Sequence, residues 1–441
     1  MRDTIFALSS GAPPAGVAII RVSGPQVRFV LETILGEVPQ PRMARLAKLR
    51  DASGQVLDHG LSLFFPSPHS FTGEDVAELQ IHGGRASISA VLSRLSDLPG
   101  LRHAEAGEFT KRAFENGRMD LTAVEGLSDL IRAETEAQRK QAMGQAEGVL
   151  GSLYSGWAHK MTHARAMVEA ELDFSDEDDI PGAVSDRIWP EMQALLDEMK
   201  QHLSRARAGE IVRDGFRIAL IGPPNAGKSS LLNVLAQRDV AIVSDIAGTT
   251  RDIVEVRLDI GGHLVLVQDT AGIRSSEDEI ELEGIRRSLR AAEEADLVLE
   301  LRDATVVDAA VDAAAGISPN RLLLLTKSDL RQLETETTGS EVLTISAKTG
   351  SGIDFLMEEI KNRIGQNHAG AGEALPTRDR HVQYLKTCLA EAEKAVIGRN
   401  LPIEVRSEYL RNAATALGRI TGKVDVEDLL GVIFSEFCVG K

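Results

Sequence analysis

Gly222-Pro223-Pro224-Asn225-Ala226-Gly227-Lys228-Ser229 follows a short apolar run, 216–221, and leads into the helical composition of Ser230-Leu231-Leu232-Asn233-Val234-Leu235. Strand, GxxxxGKS turn and helix in that order form a phosphate-binding loop. Its glycines let the backbone wrap an anion with N–H groups at a helix N-terminus. Lys228 brings positive charge to β and γ phosphates, and the Ser229 hydroxyl is a ligand for Mg²⁺. Asn225, Ala226, Gly227 and Ser230 complete the expected lining of the phosphate pocket.

Further groups with matching chemistry follow in order. The apolar run 264–267 leads into Asp269-Thr270-Ala271-Gly272. Asp269 then stands at a strand end, where it can hold Mg²⁺ through water, and the Gly272 N–H can sense a γ-phosphate. Between the two motifs, Ser244-Asp245-Ile246-Ala247-Gly248-Thr249-Thr250 is expected to line the nucleotide. Thr250 offers Mg²⁺ a second protein ligand, in a stretch that orders with triphosphate bound. The buried-type run 322–325 ends in Thr326-Lys327-Ser328-Asp329. Asp329 can accept two hydrogen bonds from guanine, a pair that adenine cannot supply, so the wrong base is left unpaired. Ser346-Ala347-Lys348 closes the series, with the Ala347 N–H reading the guanine carbonyl. The order of these motifs at strand ends points to a Ras-like GTPase domain over residues 213–374: a mostly parallel sheet with helices on both faces.

Two departures matter. Thr326 stands where Asn is common, an exchange expected to weaken one supporting contact and to leave the discriminating carboxylate in place. Ile273 stands where a Ras-type enzyme has its water-orienting Gln, so Arg274, Glu279 and Glu281 become the candidates for assisting hydrolysis. No arginine finger is evident. Neutral oxygens from Asn225 and the stretch 244–249 suit a large monovalent cation in that role; with the family resemblance given below in support, K⁺ is expected to stimulate hydrolysis and Na⁺ is not.

The remaining sequence bounds what surrounds this domain. A length of 441 residues suggests about three domains. With 43% hydrophobic and 26% charged residues, and no apolar run near the ~18 residues of a membrane span, a cytoplasmic protein with no membrane partner is expected. The formal charge of −17 argues against a whole-surface grip on nucleic acid, so an RNA partner needs a local basic patch. Cys388 and Cys438 are too few for a disulfide framework or a zinc cluster. Residues 1–118 mix the apolar runs 16–22, 61–65 and 76–81 with Gly and Pro breaks, the pattern of a small α/β domain. Residues 119–212 turn to Ala, Leu, Glu, Gln and Arg, with an acidic stretch at 173–179, and read as helices. In 375–441, Val382, Leu385, Leu389 and Ala392 recur at helical spacing. That last segment is too small for a core of its own, so both helical stretches are expected to form one domain with the GTPase domain inserted.

Outside the nucleotide motifs, five further stretches stand in sequence: Ile19-Ile20-Arg21-Val22-Ser23-Gly24-Pro25, Phe71-Thr72-Gly73-Glu74-Asp75, Glu78 followed by His82-Gly83-Gly84, Ala106-Gly107-Glu108-Phe109-Thr110-Lys111-Arg112-Ala113-Phe114, and Phe437-Cys438-Val439-Gly440-Lys441. In these the chain resembles, over essentially its whole length, the MnmE (TrmE) family, the GTPases of tRNA wobble-uridine modification. The resemblance implies an N-terminal folate-binding domain that also makes a homodimer, a helical domain in two segments and an inserted GTPase domain. It implies that Arg21, Glu78, Arg118 and Lys441 surround a 5-formyl- or 5,10-methylene-tetrahydrofolate. Cations would meet the glutamate carboxylates and Glu78 the pterin amide edge. Arg118 stands where family members often have Lys. The resemblance further implies that Glu281 positions the hydrolytic water and that Asn225, Ser244, Ile246 and Thr249 bind K⁺. It implies tRNA as substrate, an FAD-dependent partner of the MnmG (GidA) type, and a 5-carboxymethylaminomethyl or aminomethyl uridine as joint product. Cys438 is a candidate reactive thiol, although a lone thiol without a visible base is more often not catalytic. A ribosome-assembly GTPase of the Era or Der type shares the nucleotide motifs and lacks the N-terminal block and the Phe-Cys-Val-Gly-Lys tail. A regulatory switch, the other alternative, needs a partner to accelerate its turnover.

Overall fold

The computed structural model describes residues 3–173, 185–238, 240–242, 254–269, 291–306, 320–330, 342–366, 374–398 and 400–424, together with 430–431, 433–434, 437 and 440. Two compact units emerge. The first holds residues 1–128, 145–185 and 400–441, and the second 129–144 and 186–399.

In the first unit, β1 (Thr4–Leu8), β2 (Ala15–Ser23), β3 (Arg45–Arg50), β4 (Val56–Phe65), β5 (Val76–Gly83) and β6 (Leu101–His103) form a sheet of order β3-β4-β5-β2-β1-β6. Neighbours are antiparallel except β1 and β6. Period-two burial decides which face is core. Ala18, Ile20 and Val22 of β2 and Ala77, Leu79 and Ile81 of β5 pack with α1 (Val27–Leu35) and α2 (Arg85–Ser96). The intervening residues fall on the other face, where Ile5 and Ala7 meet Phe109 of α3 (Glu108–Glu115). The antiparallel register sets Arg21 of β2 directly opposite Glu78 of β5 on that face.

Helices complete this unit. After α4 (Leu121–Arg132), whose last turn belongs with most of α5 (Glu136–Ala146) to the second unit, the long α6 (Val149–Asp173) buries Tyr154, Trp157, Met161, Ala164 and Val168 at three- and four-residue steps. The helix Ile403–Thr421, packed against α6, buries Leu410, Ala413, Leu417 and Ile420 with the same period. Each large side chain removed from water here stabilises the pair by about 1.5–3 kcal/mol before entropy is counted.

The second unit contains α7 (Ser185–Ser204), α8 (Ala206–Asp214) and a second sheet. Its strands are β7 (Phe216–Ile221), β8 (Val254–Ile260), β9 (His263–Asp269), β10 (Leu297–Asp303), β11 (Arg321–Thr326) and β12 (Val342–Thr344), in the order β12-β11-β10-β7-β9-β8. Only β8 runs antiparallel to its neighbour. Near-continuous apolar runs such as Leu297–Leu301 suit strands buried on both faces. α9 (Lys228–Ala236) contributes Leu231, Leu232 and Leu235 to this core, and α10 (Ile353–Gln366) contributes Ile353, Leu356, Ile360 and Ile364. Another helix, α11 (Asp379–Ile397), buries Leu385, Cys388, Leu389 and Ala392.

The expected combination of an N-terminal α/β part, helices and a mostly parallel nucleotide-binding sheet is the fold observed. Because β7, β9, β10, β11 and β12 run the same way, the segments leaving their C-terminal ends gather along one sheet edge, where open α/β sheets bind ligands. Among the described residues no helix is long and apolar enough to cross a membrane.

Candidate functional site

The phosphate loop needs backbone shapes that side chains resist. Gly222 has φ 147°, and a Cβ there would lie 2.3 Å from the Leu301 carbonyl oxygen, so strand β10 leaves room only for glycine. Asn225 at φ 63° and Gly227 at φ 95° turn the chain into α9, which begins at Lys228. Lys228 is 7% exposed, and its Nζ donates to the carbonyl oxygens of Gly222 at 2.7 Å and Pro223 at 3.0 Å. Burial lowers its pKa, and nearby Asp269 opposes that shift. An incoming phosphate would favour the charged ammonium that burial disfavours.

Beside the lysine, the Ser229 hydroxyl donates to Asp269 Oδ2 at 2.9 Å, and Asp269 is 4% exposed. The ends of β7 and β9 thus bring together both described members of the expected Mg²⁺ site. A hydroxyl and one carboxylate form a hard oxygen set that suits Mg²⁺, which fills its remaining positions with water and substrate phosphate. When bound, that ion neutralises charge on the β and γ phosphates.

At the ends of β11 and β12, Ser346 Oγ donates to Asp329 Oδ1 at 2.7 Å, and the Thr349 N–H donates to Ser346 Oγ at 3.3 Å. Ser346 is wholly buried, so it fixes one carboxylate oxygen while Asp329 itself stays accessible. Ala347 and Lys348 follow in a turn held by the Gly350 N–H donating to the Ser346 carbonyl at 2.9 Å. Gly352 permits that turn: a Cβ there would meet the Thr344 carbonyl oxygen at 2.2 Å.

Thr326 links the two ends of the site. Its hydroxyl donates to the Ala226 carbonyl at 2.7 Å and approaches the Arg302 carbonyl at 3.1 Å, in a side chain 4% exposed. The exchange of Asn for Thr expected to weaken one supporting contact leaves here a short, buried bond from the hydroxyl to the phosphate loop. Lys327, at φ 60°, sends its Nζ to Asp303 Oδ2 at 2.7 Å. Asp303 was not among the residues singled out from the sequence, where it is only the last residue of an apolar run.

In the first unit Arg21 Nε and one terminal nitrogen both donate to Glu78 Oε1, at 3.1 and 2.9 Å. The guanidinium carbon lies 5.1 Å from the centroid of the Phe71 ring and 5.7 Å from that of Phe109, two aromatic neighbours that sequence reasoning missed. Arg118 is exposed, with its stem near the place a Cβ on Gly73 would occupy. Near the C-terminus, Phe437 packs with Val124 and Phe434, and Ser9 Oγ donates to the Gly440 carbonyl. Gly440 has φ 101° and no room for a Cβ beside the Leu8 carbonyl oxygen.

The positions Ser244, Asp245, Ile246, Ala247, Gly248, Thr249, Thr250, Thr270, Ala271, Gly272, Ile273, Arg274, Glu279, Glu281, Cys438 and Lys441 lie outside the described residues. Cys388 is buried in α11, and burial raises its pKa strongly, so its thiol is inert.

Comparison with known proteins agrees with this geometry. A family model described as the MnmE helical domain matches residues 121–438, and one described as GTP-binding protein TrmE N-terminus matches residues 4–118. Among curated relatives called tRNA modification GTPase MnmE, that of Rhizobium johnstonii is 52% identical over 441 residues, covering 100% of this chain and 99% of the relative. The relatives from Chelativorans sp. and Brucella anthropi are 52% and 49% identical with the same coverage. The chain belongs to the MnmE (TrmE) family of tRNA-modification GTPases.

Proposed function

We propose that this chain hydrolyses GTP in order to install, with an FAD-dependent protein of the MnmG (GidA) type, a carboxymethylaminomethyl or aminomethyl group on C5 of the wobble uridine of certain tRNAs. The supporting observation is the single sheet edge that carries the Lys228 loop, the Ser229–Asp269 pair and the Asp329–Ser346 pair, tied together by Thr326. In this reading residues 1–118 bind a tetrahydrofolate one-carbon donor and dimerise, 119–212 and 375–441 make one helical domain, and 213–374 are the inserted GTPase domain. Arg21 and Glu78, paired beside Phe71 and Phe109, supply a cation and a carboxylate of the sort that a folate's acid tail and pterin edge require. Arg118 and Lys441 add positive charge. The protein works in the cytoplasm.

Ser229 and Thr250 hold Mg²⁺, and Glu281 orients the attacking water. Asn225, Ser244, Ile246 and Thr249 form an oxygen cage for K⁺, which takes the place of an arginine finger worth ~10³ to 10⁵ in rate. Hydrolysis is therefore faster in K⁺ than in Na⁺ at matched ionic strength, and equal rates defeat the cage. Mass spectrometry of tRNA nucleosides from a deletion strain tests the wider reading. Loss of the modified wobble uridine is expected, and its retention removes the proposed chemistry while leaving GTP hydrolysis standing.

A further inference from the structure

We propose that Asp303 is a positioning residue for nucleotide binding, which anchors Lys327 so that the lysine stem forms one wall of the base slot. The proposal rests on the reading of this edge as a guanine-nucleotide site. β10 and β11 are parallel and in register, with Asp303 beside Thr326. The Ala304 N–H donates to the Thr326 carbonyl at 2.9 Å, so the turn after β10 is stitched to the strand that carries the base-reading loop. Asp303 is itself held at both oxygens. Oδ1 accepts the Thr305 N–H at 2.9 Å and its hydroxyl at 2.7 Å, while Oδ2 accepts Lys327 Nζ at 2.7 Å. Lys327 and Thr305 hold this carboxyl ionised.

Lys327 sits between two anchors, Thr326 on the phosphate loop and Asp329 on Ser346, with its backbone at a left-handed φ of 60°. Its four-carbon stem offers apolar surface at that point in the loop, and such stems cover aromatic faces while their charged ends stay in polar contact. A nucleotide triphosphate pulls electrostatically on every nearby ammonium. Left to itself, the Lys327 ammonium would be drawn toward the phosphates and the stem would leave the base. The ionised Asp303 holds it. Lys228, already buried at the phosphate end, supplies the charge needed there.

The test compares Asp303→Asn, Lys327→Met and the double variant in the full chain. Measured are dissociation constants for GDP and GTP carrying a ribose fluorophore, displacement of that GDP by inorganic tripolyphosphate, and kcat at saturating GTP. Asp303→Asn keeps the shape and the Thr305 cap but presents an uncharged amide. Because the pair is partly exposed, the expected loss is about fivefold for both nucleotides, the upper range for such a pair. Tripolyphosphate binding stays unchanged, kcat falls less than the affinity for GTP, and the double variant is no worse than the weaker single. Lys327→Met, at a side chain 36% exposed, is the variant least able to disturb folding. Unchanged GDP affinity, an equal loss of tripolyphosphate binding, or additive losses in the double variant overturn the proposal. A wild type that binds ADP as tightly as GDP removes the guanine-site reading and the proposal with it. A guanine-selective wild type with unaffected variants removes the proposal alone.

Discussion

Replacing Thr326 by Val deletes one hydroxyl and keeps the β-branched shape, so no cavity opens. The lost proton is the one donated to the Ala226 carbonyl at 2.7 Å, with the Arg302 carbonyl at 3.1 Å as a second acceptor. Ala226 is 1% exposed, so water cannot replace the donor without opening the loop. A buried acceptor stripped of its partner costs about 1–3 kcal/mol, and a value near 2 is expected here because the bond is short and enclosed. For a unit of this size about 2 kcal/mol lowers Tm by roughly 4–8 °C. The assay is thermal unfolding with and without saturating GDP, run beside Thr326→Ser, which keeps the hydroxyl. If the bond also orders the phosphate loop, the gap between Thr326→Val and wild type widens with GDP, because the ligand stabilises only the form it binds. A Thr326→Val protein within about 0.5 kcal/mol of wild type in both conditions refutes the tether, since surface-like changes produce no more than that.

Asp329→Asn exchanges the accepting carboxylate for an amide that donates; GTP affinity falls by at least tenfold and xanthine nucleotides gain, and wild-type GTP binding would rule out its role in reading the base. His202 is buried in α7, where burial first, then His381 and Arg205, drive its pKa from 6.5 to about 4. A folded-state pKa below the unfolded one means that stability is full above pH 6.5 and is lost as pH falls toward 4, by about 3 kcal/mol in all. Urea midpoints at pH 7 and pH 4.5 should show that loss in wild type and a smaller one in His202→Leu. Gly440→Ala forces a Cβ against the Leu8 carbonyl oxygen at a φ of 101°. tRNA modification is then expected to be lost while GDP affinity stays within twofold, and weakened GDP binding would assign the tail to the nucleotide site instead.

Local motifs were the legible part of this site because each sits in a few consecutive residues at a strand end. Phe216–Ile221 and Arg321–Thr326 announced themselves as apolar runs with chemistry at their C-terminal ends. Strand β3, Arg45–Arg50, gave no such run, because alternation with Arg and Lys on an exposed strand hides the pattern. The first half of β4 is similarly half-exposed, so only 61–65 read as a strand. Bonds that join distant segments were not legible at all. Thr326 meets Ala226 from 100 residues away, and Arg21 meets Glu78 from 57, because strand order and register bring them together. Arg21 and Glu78 were found only through the family's motifs; their charge and position alone look like ordinary surface. Asp303 was missed for the same reason, since its partner Lys327 lies just beyond another strand.

If residues 1–118 bind the proposed folate, the ion pair of Arg21 and Glu78 turns that capture into an exchange. Both described guanidinium bonds converge on Oε1, and Oε2 accepts none among the described residues. A ligand that offers only an anion must pull Arg21 away and strand a half-buried carboxylate, a net trade of one partner for another that gains little. A ligand that brings an acid group together with a donor edge can satisfy both at once, the acid taking Arg21 and the donors taking Glu78 through its open oxygen. Under the proposed folate reading the pair is a coincidence detector: simple dicarboxylates and simple amines should each bind weakly there, and a molecule carrying both functions at the right separation should displace the pair from itself.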